Sequence, residues 1–447
     1  MKKILSYAIA LFTFNAGAQT FTQIDINPEG PSYCSGFVEL NGKVYMKAEN
    51  IFNTNSGLWV SDGTVGGSQL VSDVWINLEA SPLVPLNNSK LVFSGQAEES
   101  DNTYGAEPWV SDGTAAGTFM LKDINVGDEG SYPNFFTAFN GFLYFAALDT
   151  SVGIELWRTD GTTAGTVLVK DIDPNTYSGV HQSSNPNNFI VFKGKLYFSA
   201  SSGQSGYELF SSDGTAEGTQ LFIDLSPPAN YDSNPKSFTI FNDKLFFVVN
   251  DYSHGYELWS TDGTVAGTSL LKDIARPGAH GPENLTVLGG KMFFSVDDGI
   301  NGNELWVTDG TAEGTHIVKD IYPSANSGSY PENLTAAGNK LFFFASDSIH
   351  GNELWVSDGT EQGTHLVKDI IPGTNGLSID ICLAYHDKFY FNGEEDWDLG
   401  KFYQSDGTEA GTKLCQPTGT TSINPAAIEN FHAGTALNSI FMTALFS

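Results

Sequence analysis

The tripeptide Asp-Gly-Thr recurs at nearly constant intervals, and this repetition constrains the fold more than any other feature of the sequence. Its copies lie 47 to 53 residues apart and begin at Asp62, Asp112, Asp160, Asp213, Asp262, Asp309, Asp358 and Asp406. The flanking residues repeat as well, as ELWVTDGTAEGTHIVKDI at 304–321 and ELWVSDGTEQGTHLVKDI at 353–370 show. A chain with a fixed period of this length folds as a series of similar units that bury their apolar faces against one another.

Each unit has the pattern of four short strands. In residues 282–321, the segments NLTVLG, KMFFSV, NELWVT and THIVKDI are rich in aromatic and β-branched residues and are separated by Gly, Asn and Asp. No segment shows a helical period. Four strands in a unit of this length are typical of a propeller blade. We therefore predict an all-β fold, a β-propeller of eight blades with four antiparallel strands each.

Partial units at the two ends leave an alternative open. Ile24-Asp25-Ile26 resembles a fourth strand, and residues 424–446 resemble a first and a second strand. Propellers often close by pairing strands from both termini within one blade. The alternative is therefore a ninth blade that both termini form together.

The Asp-Gly-Thr loop also predicts a register between the third and fourth strands. If Ser357 faces Thr364 across the loop, then Trp355 faces Leu366 and Glu353 faces Lys368. The same Glu-to-Lys separation recurs in Glu107/Lys122, Glu155/Lys170, Glu257/Lys272 and Glu304/Lys319. Opposite charges across a strand pair contribute ~0.2–1 kcal/mol each. The recurring glutamate is accordingly interpreted as a scaffold residue paired with lysine.

The N-terminus has the pattern of a secretory signal peptide. The basic start Met1-Lys2-Lys3 precedes an apolar run at 4–14, and Ala16-Gly17-Ala18 supplies the small residues that a signal peptidase recognises. The apolar run is shorter than the ~20 residues that span a bilayer. We predict a signal peptide at 1–18 and a single propeller domain at 19–447. The product is expected to be exported, as a periplasmic, cell-surface or secreted protein without a membrane span.

Charge and cysteine content exclude several classes of partner. The formal net charge is −31, and such a surface repels nucleic acid, whose binding depends on Lys and Arg. The three cysteines, Cys34, Cys382 and Cys415, are too few for a disulfide framework. A single disulfide that joins the first and last units is left as an alternative. We expect a monomer.

The repeated octapeptide carries a resemblance to a known family. Glu-Leu-Trp-x-x-Asp-Gly-Thr is intact at 155, 257, 304 and 353, with near-copies at 57, 107, 208 and 401. The sequence resembles the ELWxxDGT repeat proteins, which are exported proteins of Bacteroidetes-type bacteria. The resemblance covers almost all of the chain after residue 18. It implies a propeller but no particular chemistry.

Two sets of residues are candidates for binding. The loops between second and third strands and those between units are expected on one face, and variable loops on a rigid scaffold often bind ligands. These loops carry Tyr132, Tyr177, Tyr231 and Tyr330. The mouth of the central channel is the second candidate, with Asn188, Glu283, Asn284, Glu332 and Asn333 at matching positions of three units. The channel residues are equally suited to capping strand ends.

Metal binding and catalysis have weaker sequence support. Asp297, Asp298, Asn301 and Glu304 offer oxygen ligands for calcium, although their spacing matches no known calcium loop. No other cofactor is expected. The sequence contains no Gly-x-Ser-x-Gly, His-Glu-x-x-His or phosphate-binding motif. The acidic stretch at 394–398 offers two carboxylates to a glycosidase, or forms a solvated loop.

These observations favour an exported binding or scaffold protein over an enzyme. In this hypothesis a rigid propeller presents its loop face to a glycan, peptide or protein partner. The first alternative is a polysaccharide-active hydrolase or lyase with its site at the channel mouth. The second is a structural protein of the cell envelope.

Overall fold

The computed structural model confirms the all-β class. It describes residues 6–15, 18–24, 32–50, 56–64, 66–77, 82–97, 105–203, 206–226, 231–324, 327–394, 401–415, 423–434 and 439–446. Every regular element in these ranges is a β-strand. Within them, no helix exists that is long and apolar enough to cross a membrane.

Thirty-nine strands follow one another along the described residues. The first half consists of β1 (Ser6–Asn15), β2 (Ala18–Ile24), β3 (Ser32–Leu40), β4 (Lys43–Asn50), β5 (Gly57–Ser61), β6 (Ser68–Ser72), β7 (Trp75–Ile76), β8 (Val84–Leu86), β9 (Lys90–Gln96), β10 (Glu107–Ser111), β11 (Phe119–Met120), β12 (Asn134–Phe139), β13 (Phe142–Asp149), β14 (Gly153–Thr159), β15 (Val167–Lys170), β16 (Thr176–Tyr177), β17 (Val180–His181), β18 (Asn187–Phe192) and β19 (Lys195–Ser201). The second half consists of β20 (Tyr207–Ser212), β21 (Gln220–Ile223), β22 (Lys236–Phe241), β23 (Lys244–Asn250), β24 (Tyr256–Thr261), β25 (Ser269–Lys272), β26 (Glu283–Leu288), β27 (Lys291–Asp297), β28 (Asn303–Thr308), β29 (His316–Lys319), β30 (Glu332–Ala337), β31 (Lys340–Asp347), β32 (Gly351–Ser357), β33 (His365–Lys368), β34 (Ser378–Tyr385), β35 (Lys388–Glu394), β36 (Lys401–Ser405), β37 (Lys413–Leu414), β38 (Ile423–Gly434) and β39 (Ser439–Phe446).

The strands form one antiparallel sheet for each Asp-Gly-Thr copy, and we number these sheets 1 to 8. Sheet 1 is β3-β4-β5-β6, and sheets 3 to 8 are β12–β15, β18–β21, β22–β25, β26–β29, β30–β33 and β34–β37, each in chain order. In sheet 2 the strands β7 and β8 both pair with β9, followed by β10 and β11. The predicted four-stranded unit is thereby confirmed.

A further four-stranded sheet joins the two ends of the chain. Its order is β2-β1-β39-β38, with antiparallel pairs throughout. Strand β38 contacts the first strand of sheet 8 and the first strand of sheet 1. The first strands of sheets 3 to 8 also contact one another in succession. This arrangement is consistent with a β-propeller.

Strand β1 lies in the segment predicted as a signal peptide. It pairs with β2 on one side and with β39 on the other. Residues 1–5, 16–17 and 25–26 lie outside the described residues. The signal peptide and the single-domain division stay predictions.

The apolar core lies between successive sheets. Phe293 and Leu305 of sheet 6 are fully buried in one cluster with Phe343 and Trp355 of sheet 7. The second strands supply the largest side chains of this core, because their residues are covered by a neighbouring sheet on both faces. Burying one such side chain contributes about 1.5–3 kcal/mol. Packing against a neighbour therefore contributes to the stability of each sheet.

The Asp-Gly-Thr loops share one local geometry. In all eight, Oδ1 of the aspartate accepts the backbone N–H of the threonine at 2.8–2.9 Å and its hydroxyl at 2.6–2.7 Å. The glycine of the triplet has φ between +80° and +97°, which favours glycine. The second glycine is required for space, since a Cβ on Gly165 would lie 2.0 Å from Asp160 Oδ1.

The predicted register holds close to this loop and fails beyond it. The hydroxyls of Ser357 and Thr364 are 2.7 Å apart, and Trp355 lies opposite Leu366. The predicted Glu353–Lys368 pair is wrong, because a β-bulge shifts the register and places Lys368 opposite Leu354. The same shift separates the predicted pairs in sheets 3, 5 and 6.

Each of these lysines joins neighbouring sheets instead. Lys170 Nζ donates to the carbonyl of Thr219 in the next sheet at 2.6 Å. Equivalent bonds of 2.6–3.3 Å are made by Lys122, Lys272, Lys319 and Lys368. In the described residues, the lysines of the predicted pairs in sheets 2, 3, 5, 6 and 7 therefore make contacts between sheets.

The glutamates hold the connections between sheets. Glu155 is fully buried and accepts the N–H of Ile172 at 2.8 Å, and the N–H and hydroxyl of Ser184 at 2.9 and 2.5 Å. Ile172 follows sheet 3 and Ser184 precedes sheet 4, so one carboxyl group fixes both ends of the connecting loop. Glu107, Glu208, Glu257, Glu304 and Glu353 are buried in the same way. Their interpretation as scaffold residues stands, with backbone partners in place of lysine.

Burial shifts the ionisation of these carboxyl groups. Desolvation raises the pKa of Glu107, Glu155, Glu208, Glu257 and Glu353 to about 7, while their hydrogen bonds partly oppose this rise. The pKa of Glu304 is raised for the same reason.

Candidate functional site

Two families of loops lie on the same face of the sheets. The start of β12 pairs with the end of β13, as Asn134 opposite Ala146 shows, and the end of β13 pairs with the start of β14, where Leu148 lies opposite Ile154. The loops between second and third strands therefore lie beside the loops that connect successive sheets, as predicted. We call this the connecting-loop face, and the opposite end of the sheets, with the Asp-Gly-Thr loops, the DGT face.

Aspartates shape the loops between second and third strands. Asp347 Oδ1 accepts the N–H groups of Ile349 and His350, and its Oδ2 is 2.8 Å from Nδ1 of His350. Asp251 and His254 repeat this arrangement in sheet 5. The carboxylate raises the pKa of each histidine by hydrogen bonding. These groups close their own turns.

The calcium candidates lie in such a turn of sheet 6. Asp297 accepts from Arg276 Nε, and Asp298 accepts from the N–H groups of Ile300 and Asn301. Asn301 Nδ2 also donates to Asp298, and Glu304 is buried beneath the loop. Among the described residues, no group of three or more His, Cys, Asp and Glu side chains is arranged to hold a metal ion. Calcium binding at these residues stays a prediction.

The asparagines of the channel mouth have positive φ angles of 55–59°. Asn is one of the few residues that adopts this conformation at low cost. Asn188 Nδ2 donates to the carbonyl of Pro235, and Asn284 Nδ2 to that of Pro331, each in the next sheet and each at 3.3 Å. These amides are therefore engaged in the contact between sheets, which supports the strand-capping interpretation.

A polar cavity of about 430 Å³ joins part of the channel set. Its lining includes Asn284 and Asn333 together with Ser237, Thr286 and Thr335. Asn188 is not part of that lining. Glu283 is exposed, and Glu332 accepts from Asn352 Nδ2 at 3.0 Å. The structure thus brings together two of the five predicted channel residues.

The four predicted tyrosines are all exposed on the connecting-loop face but occupy separate loops. Tyr177 belongs to the β16–β17 hairpin between sheets 3 and 4. Tyr231 packs against Tyr252 with their ring centroids 4.7 Å apart. Within the described part of the chain, no ring contact joins Tyr132, Tyr177 or Tyr330 to another of the four. Residues 395–398 of the acidic stretch lie outside the described residues.

The sequence did not reveal two aromatic residues of this face. Tyr252 is the partner of Tyr231, and Phe135 lies beside Tyr132 in a cavity of about 310 Å³ between sheets 3 and 4. Phe135 is 45% exposed and has φ +62°. Aligning the units would have shown a Phe where most others carry Asn, Ser or Gly. The three cysteines are thiols and form no disulfide.

Comparisons with known proteins give a fold likeness only. The sequence matches no family model and no curated protein. Among solved structures it is similar to puromycin hydrolase (TM-score 0.41, 11% identity, 80% of this chain and 58% of that chain). It is also similar to a prolyl endopeptidase (TM-score 0.42, 10% identity, 82% of this chain and 55% of that chain). A third similar structure is a puromycin-hydrolyzing peptidase of Mycobacterium tuberculosis (TM-score 0.41, 10% identity, 81% of this chain and 57% of that chain). The chain spans less than two thirds of each of these proteins. The identities are too low for their peptidase activity to bear on this chain.

Proposed function

We propose that this chain is an exported binding module whose connecting-loop face takes a glycan, peptide or protein partner. One observation carries the proposal: large apolar side chains are exposed mainly on that face. Nine of them, 49–86% exposed, are Val126, Tyr132, Tyr177, Val180, Tyr231, Tyr252, Ile300, Tyr330 and Ile349. On the described DGT loops, Val265 is the one comparable side chain. Exposed apolar side chains on variable loops of a rigid scaffold favour this face over the DGT face as the interaction surface.

We further propose that the sheets close into a propeller in which the terminal sheet is a ninth blade. Support comes from the contacts of β38 with both sheet 8 and sheet 1. Because β1 belongs to the predicted signal peptide, the ninth blade of the exported protein rests on β38 and β39, which pair with each other. Eight blades is the competing arrangement, with the terminal strands outside the ring. Membership of the ELWxxDGT repeat proteins and export from the cytoplasm belong to the same proposal.

A combined binding and hydrolysis screen tests the proposed function. The purified protein is applied to a glycan array and to a peptide array, and the same preparation is incubated with polysaccharides while reducing ends are measured. Binding without cleavage supports a binding module. Cleavage that is lost in Glu283→Gln or Glu332→Gln would instead identify a polysaccharide-active enzyme with its site at the channel mouth. A structural envelope protein would give neither signal.

A further inference from the structure

Sheet 3 differs from sheets 1 and 4 to 7 at the bulge of its first strand. At this position the backbone forms a bulge with φ between +55° and +64°, and the residues are Gly36, Asn188, Ser237, Asn284 and Asn333 in sheets 1, 4, 5, 6 and 7. Sheet 3 has Phe135 in the same conformation. A bulky side chain is strained there, whereas Gly and Asn adopt it readily. Strain of this kind is found at binding sites more often than elsewhere.

Sheet 3 also differs from sheets 4 to 7 where its second and third strands pair. Leu148 at the end of β13 lies opposite Ile154 at the start of β14, which makes an apolar pair. The equivalent pairs begin with a polar residue: Ser201–Tyr207, Asn250–Tyr256, Asp297–Asn303 and Ser346–Asn352. Sheet 3 therefore has apolar residues at the positions of Phe135, Leu148 and Ile154. Each of sheets 4 to 7 has at least one polar residue at these three positions.

The three departures meet in the cavity of about 310 Å³ between sheets 3 and 4. Phe135, Leu148 and Ile154 line it together with Ala146, and Tyr132 lies at the same cavity with φ +48°. Four further lining residues are polar, Ser131, Asn134, Asn185 and Asn187.

The side-chain amides of Asn134 and Asn185 each keep one polar group available for a ligand. Asn134 Oδ1 accepts the N–H of Phe135 at 2.7 Å, and Asn185 Nδ2 donates to the hydroxyl of Tyr207 at 2.9 Å. Within the described residues, no hydrogen bond engages Asn134 Nδ2 or Asn185 Oδ1. A donor and an acceptor beside an apolar cavity match the C=O and N–H groups of a peptide.

We propose that this cavity, which we call the sheet-3 pocket, binds an extended peptide by one apolar side chain, with Asn134 and Asn185 bonding the peptide backbone. The inference rests on the proposed function and specifies its ligand. A sugar fits less well, because its hydroxyl groups would lose their bonds to water against the aliphatic side chains of Leu148 and Ile154. Exposed Asp128 and Glu129 precede the pocket, and the net charge is −31, so basic residues beside the apolar one are favoured.

Fluorescence anisotropy with labelled peptides tests the inference on the full chain. The probes are Gly-Gly-Lys-Leu-Lys-Gly-Gly, the same peptide with Phe or Ser in place of Leu, and a version with Glu in place of both Lys. The Leu and Phe peptides are expected to bind at least tenfold more tightly than the Ser peptide. The Glu version is expected to bind more weakly than the Lys version.

Variants taken from the other sheets separate binding from folding. Phe135→Asn installs the residue of sheets 4, 6 and 7, so we expect an equal or higher Tm and at least a tenfold higher Kd for the Leu peptide. Leu148→Ser, the residue of sheets 4 and 7, should also weaken binding. Tyr132→Asn should weaken it too, whereas the matched change Tyr330→Asn in sheet 7 should leave Kd unchanged.

Two results would overturn the inference. One is an unchanged Kd in a folded Phe135→Asn protein, and the other is equal binding of the Leu and Ser peptides. Binding of an arrayed glycan with no peptide binding would also overturn it, while leaving the proposed binding function intact. Failure of every peptide and glycan to bind would contradict both.

Discussion

The two faces of the sheets differ in how strictly their loops repeat. On the DGT face all eight loops repeat the same two bonds from threonine to aspartate, as in Asp160 and Thr162. On the connecting-loop face the loops differ in length and sequence and expose residues such as Tyr177 and Ile300. The difference teaches that repetition here maintains the scaffold, while the departures from it are where a partner can be recognised.

The buried glutamates lie beneath the variable face, and removing one should have the largest effect. In Glu155→Ala the N–H groups of Ile172 and Ser184 lose their acceptor in a dry interior. We expect the free energy of unfolding to fall by about 3–5 kcal/mol, measured by urea denaturation. Glu313→Ala, on an exposed DGT loop, is the control and should change it by less than about 0.5 kcal/mol. A loss in Glu155→Ala no larger than the control's would show that the glutamates do not support the loops.

The same glutamates predict an unusual pH dependence. Their folded-state pKa of about 7 in sheets 2 to 5 and 7 lies above the unfolded value near 4.5, so the folded protein holds protons more tightly. Stability should therefore fall as pH rises from about 4.5 to 7. The raised pKa of His254 and His350 acts in the same direction.

The aspartates of the DGT face should affect stability at low pH. Hydrogen bonds from threonine lower the pKa of its aspartates, for example Asp213 and Asp309, so their contribution is lost as pH falls below about 4. We expect greatest stability near pH 4–5 and a fall of at least about 3 kcal/mol by pH 8, which is the contribution of a single glutamate raised from 4.5 to about 7 at about 1.4 kcal/mol per pKa unit. Urea midpoints that stay constant or rise between pH 5 and 7.5 would contradict this.

Much of the scaffold was predictable from sequence because it depends on local patterns. Four-strand units follow from alternating apolar runs, and the Ser357–Thr364 contact follows from loop length. The Glu353–Lys368 pair failed because a one-residue bulge cannot be read from composition. Of the residues that line the proposed sheet-3 pocket, Tyr132 was predicted from the sequence. Phe135 and Leu148 resemble ordinary strand residues until the register of each sheet is known.

A smaller effect is expected on the DGT face from its second glycine. In Gly165→Ala the new Cβ would lie 2.0 Å from Asp160 Oδ1, so the aspartate must turn away and release its bonds to Thr162. We expect the free energy of unfolding to fall by about 2 kcal/mol, measured by urea denaturation. Thr162→Ala removes the hydroxyl bond to Asp160 and the bond that this hydroxyl accepts from the N–H of Gly165, so it should cost a similar amount. Equal stability of Gly165→Ala and the wild type would mean that the repeated loop tolerates change as the variable loops do.

The smallest change in stability is expected for an exposed ring of the connecting-loop face. Tyr252→Asn removes the exposed ring that packs on Tyr231, and it places Asn at a φ of +67°, which Asn adopts more readily than Tyr. These effects oppose each other, so the free energy of unfolding should change by less than about 0.5 kcal/mol. Val265→Ser makes a similar apolar loss on the DGT face. If the faces are divided as proposed, Tyr252→Asn weakens capture of a partner that docks across sheets 4 and 5, and Val265→Ser does not. Equal weakening by both changes would place recognition on both faces and remove the distinction between them.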